Sequence, residues 1–229
     1  RYFSHDKKNT AFEPVCVNQT EVTKDTFGPE VGMAEYFTGH YPDREVFIVK
    51  CAFGGMSLWR DFRSPSCGGD YDPDAFADQY EDMINSVFAG KPVRAGWCYN
   101  ELVRLLRESI AALEAAGYAP RVRAFCWMQG ESDGSSYIQY RLKLQALWSH
   151  LQSLGFTHFF ILRVGYWGST AVLNVIKAQT DFCAENDNCY IVTKAPSLIP
   201  YPGTTTENWW IEEPSSEYDD CRDSYISST

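Results

Sequence analysis

A chain of 229 residues is long enough for one α/β domain with a sizeable core and too short for two large ones. Acidic residues outnumber basic ones by 30 to 20, and the formal net charge of -10 repels phosphate backbones and anionic membranes, so nucleic acid is not expected as a partner. No apolar run approaches the length that spans a bilayer.

Up to about Asp25 the pattern is mixed and without period, which reads as a surface segment. Phe27-Gly28-Pro29-Glu30 then opens a helix, with Pro29 in its first turn and Val31, Ala34, Tyr36 and Phe37 along it as far as Gly39. Residues 45–53 are β-branched, aromatic and nearly continuous in hydrophobicity, the pattern of a strand buried on both faces. The strand ends in Gly54-Gly55-Met56-Ser57-Leu58, where paired glycines let the backbone approach a ligand and turn amides outward.

A loop rich in Ser, Pro, Gly and Asp follows, and Pro73 and Asp74 introduce a helical stretch with Phe76, Tyr80, Met83, Ile84 and Val87 on one face. The next helix carries Leu102, Leu106, Ile110 and Leu113 and stops at Gly117. A strand over 122–128 leads to a helix with Leu144, Leu147, Trp148, Leu151 and Leu154, ended by Gly155. Residues 158–164 form a strand, 170–186 a helix and 190–193 a last short strand, after which order dissolves from Pro196 into an acidic, aromatic segment containing Trp209 and Trp210. Strands separated by helices of this length require a parallel sheet covered on both faces, so the expected fold is a three-layer α/β/α, flavodoxin-like domain over residues 1–229.

Cysteine usage leaves alternatives open. Cys51 and Cys126 sit in apolar strand-like runs and read as buried thiols, whereas Cys183 and Cys189 bracket a polar loop that a disulfide would close. There is no Cys-x-x-Cys pair and the four histidines are scattered, so neither a zinc site nor another cofactor is expected. Asn18-Gln19-Thr20 fits a glycosylation acceptor, and with the possible disulfide it points to a secreted protein.

The chemistry concentrates where the 122–128 strand runs out, in Gln129, Gly130, Glu131, Ser132 and Asp133, the polar groups that the C-terminal end of a parallel strand presents to a ligand. A turn with Ser132 or Asp133 capping the next helix is the alternative. Trp127-Met128-Gln129-Gly130-Glu131-Ser132-Asp133 resembles the third conserved block of the sialate O-acetylesterase and acetylxylan esterase group of the SGNH hydrolases. Phe27-Gly28-Pro29-Glu30, with the later run from Ile48 to Leu58, is similar to the second block of that group.

The resemblance implies deacetylation of an acetylated carbohydrate, sialic acid or a xylan-type polysaccharide, by a serine nucleophile, a histidine base and an orienting carboxylate. On this pattern the Gly55 backbone amide and the Gln129 side chain serve the oxyanion, and Glu131 is the carboxylate, with Asp220 and Asp223 as alternatives. Gly54, Ser57, Ser132, Asp133, Trp209 and Trp210 would meet the substrate. The group's Gly-Gln-Ser-Asn and histidine blocks have no counterpart here. Ser4 lacks a preceding apolar strand, His5, His40, His150 and His158 read as helix, loop or strand-edge residues, and both blocks are expected in sequence flanking this chain. A relative that binds carbohydrate without hydrolysing it is the competing expectation, supported by Trp209 and Trp210.

Overall fold

The computed structural model describes residues 1–4, 9, 11–16, 28–76, 94–134, 136–165 and 170–193. The described residues fall into two compact units, one within Arg1–Gly55 and Asp72–Pro120 and one within Met56–Tyr71 and the described residues from Arg121 onward. The expected helix over 73–90 lies outside the described residues beyond Phe76, and its described start, 73–76, is not helical; the glycosylation acceptor at Asn18 and everything from Lys194 onward also lie outside the described residues.

In the first unit, β1 (Tyr2–Ser4) pairs in parallel with β2 (Lys50–Ala52), Tyr2 opposite Lys50 and Ser4 opposite Ala52. β1 was not expected, because three residues carry no period to read. Ser4 is the last residue of β1. β2 is much shorter than the 45–53 run, and Val46 and Phe47 are exposed rather than buried on both faces. A ladder extends only as far as its partner, and β1 supplies three residues.

Helix α1 (Pro29–His40) starts where Gly28-Pro29 predicts, with Glu30 in its first turn. Helix α2 (Trp97–Ala115) buries Leu102, Leu105, Ser109 and Leu113, so Leu106 and Ile110 flank the expected stripe rather than centre it. Trp97 packs on Phe53, with ring centroids 4.9 Å apart. The Asn100 side chain donates to the carbonyls of Asp72 (2.9 Å) and Ala75 (2.8 Å), tying down the start of the second chain segment.

The second unit contains a three-stranded sheet in the order β3 (Ala124–Trp127), β4 (His158–Leu162), β5 (Cys189–Thr193), with every pairing parallel. Helices α3 (Tyr137–Ser153) and α4 (Thr170–Glu185) are the crossovers and pack on each other. Their buried stripes, Tyr140, Leu144, Leu147, Trp148 and Leu151 on α3 and Val172, Val175, Ala178, Gln179 and Phe182 on α4, follow the helical period. They close over Phe125, Trp127, Phe159 and Ile161, the alternate residues of β3 and β4. Phe159 is the hub, 5.4 Å from both Phe125 and Trp148 and 5.7 Å from Phe182 between ring centroids. Gly155 ends the α3 segment with φ +96°. The architecture is the expected α/β class with a parallel sheet.

The same alternation corrects two cysteine expectations. Cys126 points away from the Phe125 and Trp127 face and is exposed, and Cys51 is half-buried. No disulfide joins Cys183 and Cys189. Their loop is closed without a disulfide, by Asn186 Nδ2 donating to the Phe182 carbonyl (2.8 Å) and by Asn188 in the left-handed region at φ +63°. Cys189 is buried, and burial with Asp187 nearby pushes its thiol up to about 12.

Candidate active site

The loop after β3 is held by side chains from both crossover helices. The Gln129 carbonyl accepts from the Tyr140 hydroxyl (3.0 Å) and from Gln179 Nε2 (2.9 Å), and Gln179 also donates to Tyr140 Oη (3.1 Å). Burial raises the Tyr140 hydroxyl above its ordinary range, so it is a neutral phenol donor at any physiological pH. Gly130 follows with φ +152°, and a Cβ there would stand 2.4 Å from Val175 Cγ1 and 3.0 Å from Val164 Cγ1. Glycine is required because α4 packs directly against the turn.

Asp133 fastens this loop to the turn that follows Met56. Its carboxylate is 7 % exposed and accepts from the backbone amides of Leu58 (2.6 Å) and Trp59 (2.8 Å) and from Gln129 Nε2 (2.5 Å). Burial lifts the Asp133 carboxyl above its ordinary value, while the Leu58, Gln129 and Trp59 donors pull it back and nearby Asp61 adds to the rise. It does not cap α3. That task falls to Ser136, whose hydroxyl accepts from the Gln139 amide at 3.3 Å. Within the facing turn the Ser57 amide and hydroxyl both donate to Asp61 Oδ2, at 2.8 and 3.0 Å, and Ser57 Oγ accepts from the Arg60 amide.

The second hydrogen of Gln129 Nε2 goes to the Met56 carbonyl at 3.0 Å. Both amide hydrogens of Gln129 are therefore committed in this arrangement, one to a carboxylate and one to a neutral carbonyl. An incoming oxyanion is a stronger acceptor than a peptide carbonyl, so the Met56 bond is the one that exchanges most cheaply.

The structure thus brings together Gln129, Asp133 and the Ser57 turn, and leaves Glu131 and Ser132 exposed at the tip beside them. Gly54 and Gly55 close the first unit. Both are exposed, and Gly55 has φ +73°, a conformation that favours glycine. In that unit the Glu30 carboxylate pairs with Lys50 Nζ at 2.8 Å, which joins the α1 start to β2, and a Cβ on Gly28 would come within 2.3 Å of Glu30 Oε2. An open cavity of about 640 Å³, lined by Phe12, Phe37, Tyr41, Phe47, Glu30 and Lys50 among others, also belongs to the first unit. None of the expected site residues lines it.

His40 Nδ1 is within hydrogen-bond distance of the Tyr36 carbonyl, His158 Nδ1 of Thr157 Oγ1, and His150 lies in the last turn of α3. Trp209, Trp210, Asp220 and Asp223 are outside the described residues. Sequence reasoning missed Tyr140 and Gln179. Tyr140 falls four residues before Leu144 on the buried stripe, and Gln179 falls between Val175 and Phe182, so a polar residue in an apolar stripe was the available signal.

A parallel α/β sheet whose strand runs into a glycine turn, with an amide and a carboxylate locked at the strand's C-terminal end, is the framework of an SGNH-type hydrolase. The chain belongs to the carbohydrate esterase, sialic acid-specific acetylesterase family, which it matches over residues 1–195. Neither a curated protein nor a solved structure matches it.

Proposed function

We propose that this protein is an O-acetylesterase that releases acetate from acetylated carbohydrate through an acyl-enzyme. A serine attacks the acetyl carbonyl, and the Gly55 amide and one Gln129 Nε2 hydrogen receive the developing oxyanion. A histidine oriented by Glu131 takes the serine proton and passes it to the departing sugar oxygen, leaving acetyl-serine. Water, deprotonated by the same histidine, then attacks the acyl group and frees acetate and the serine. Ser132 at the exposed tip and Trp209 and Trp210 further along are the proposed contacts to the sugar, and the substrate class fits a secreted protein.

The observation that carries the reading is the anchorage of Gln129. Its carbonyl is held by Tyr140 and Gln179 and its amide by Asp133, so the donor is preorganised as oxyanion stabilisation requires. Acetate release from p-nitrophenyl acetate, acetylated xylo-oligosaccharide and O-acetylated sialic acid tests it, with fluorophosphonate labelling and peptide mapping to locate the serine. Gln129→Ala is expected to lower kcat by roughly a hundredfold to a thousandfold. Absence of both acetate release and a labelled serine would remove the mechanism, and glycan binding through Trp209 and Trp210 would take its place.

A further inference from the structure

Each backbone amide from Ser57 to Phe62, in the turn that faces Gln129, has a defined acceptor. The Ser57 amide donates to Asp61 Oδ2 (2.8 Å), and the Leu58 and Trp59 amides donate to Asp133 Oδ2 and Oδ1 (2.6 and 2.8 Å). The Arg60 amide donates to Ser57 Oγ (3.1 Å), and the Asp61 and Phe62 amides both donate to the Ser57 carbonyl (3.0 and 2.9 Å). No helix or ladder matches these donors, so two carboxylates and one hydroxyl do most of it.

Asp61 holds this turn from within. Its carboxylate is fully buried, which a charge tolerates only when paired and hydrogen-bonded. Arg60 supplies the pairing in forked geometry, with Nε 2.9 Å from Oδ1 and Nη2 3.1 Å from Oδ2. Ser57 adds its amide and, at 3.0 Å, its hydroxyl. A serine has a single hydroxyl hydrogen, and this one goes to Asp61, so Ser57 links Asp61 to the Arg60 amide as a brace. Buried and bound on both oxygens, Asp61 is not placed to orient a histidine.

The braced turn sets both partners of the Gln129 side-chain amide. The Met56 carbonyl, one residue before Ser57, accepts from Gln129 Nε2 at 3.0 Å. Asp133, gripped by the next two amides, accepts from the same nitrogen at 2.5 Å. Tyr140 and Gln179 hold only the Gln129 backbone carbonyl and its side-chain oxygen, so the aim of the amide depends on the turn. A displacement of about 1 Å in such a group can cost on the order of a hundredfold in rate.

We propose that Asp61 is a positioning residue, which fixes the 57–62 turn through Ser57 and thereby aims the Gln129 side-chain amide. Its effect on turnover rests on the esterase reading above, while the aim of the amide does not.

Asp61→Asn leaves Arg60 facing a neutral amide in a buried place and endangers folding, so Ser57→Ala, which keeps both carboxylates, carries the test alongside it. NMR on the full chain follows solvent exchange of the Gln129 side-chain amide and of the Leu58 and Trp59 amides, with steady-state kinetics on p-nitrophenyl acetate. In Ser57→Ala those exchange rates are expected to rise by about tenfold while the β3 to β5 amides keep theirs. In the same variant kcat should fall by about tenfold with KM within about twofold, and Ser57→Thr, which keeps the hydroxyl, should restore both readouts. Unchanged Gln129 exchange and unchanged kcat in Ser57→Ala overturn the proposal. Exchange that rises equally throughout the β3 to β5 sheet overturns it too, because Asp61 is then a stability residue only. A raised KM with the Gln129 signals unmoved overturns it in favour of direct contact between Ser57 and substrate. A wild type that releases no acetate overturns the esterase reading alone, and the Gln129 signals still decide the positioning role.

Discussion

Asp133 collects three N–H donors and still holds its proton more tightly than a carboxyl in water, because burial outweighs the hydrogen bonds. A folded-state value above the ordinary 3.8 means that the folded protein keeps this proton to higher pH than the unfolded chain does. Its contribution to stability is therefore full below about pH 3.8 and is lost as pH rises from there through the raised value. Urea unfolding across a pH series should show the stability difference between wild type and Asp133→Asn shrinking as pH climbs from 4. A constant difference would contradict the assignment. At pH 4 the variant should already be less stable by about 1–3 kcal/mol, since the Asn amide puts a donor where Leu58 or Gln129 needs an acceptor. The sequence showed that Asp133 lies at a strand end, and from that a ligand contact or a helix cap was equally natural. Its actual partners are amides 74 and 75 residues earlier, which no local pattern announces.

At the scale of elements, β3, its turn and the two crossover helices behave as one piece. The turn admits only glycine at 130, because α4 presents Val175 and the β4 exit presents Val164 at the same point. Gly130→Ala forces either a strained backbone or a shift of α4, and should destabilise the protein by about 1–3 kcal/mol. Thermal unfolding measures that loss, and a fully stable variant would show that the turn is not packed as described. Helices α2 to α4 and the β3 to β5 strands were legible because apolar residues recur at helical spacing or alternate along a strand, and a core-facing stripe is a property of the segment itself. The long strand over 45–53 was not. Its composition states a preference for burial, but its length as a strand depends on β1, whose three residues leave no trace in the sequence.

At the scale of the whole molecule, a net charge of -10 governs encounters at a distance while local clusters govern contacts. Filter binding at physiological salt should detect no retention of duplex DNA, since the long-range field repels phosphate. Retention at that salt would show a basic surface outside the described residues. The family of the chain was legible from two short blocks, because a run of consecutive residues such as Trp127 to Asp133 is a signature that can be read along the chain before any of its tertiary partners is known. The parallel α/β class followed from the order of helical and strand periods, which side-chain chemistry encodes directly. Only the tertiary structure decided that both Gln129 hydrogens are engaged at rest, that Asp133 binds backbone amides, and that Arg63 and Lys143 each stack on Trp59. Each of these depends on which donors are left unpaired when distant segments pack, and that is settled by the fold as a whole rather than by any stretch of sequence.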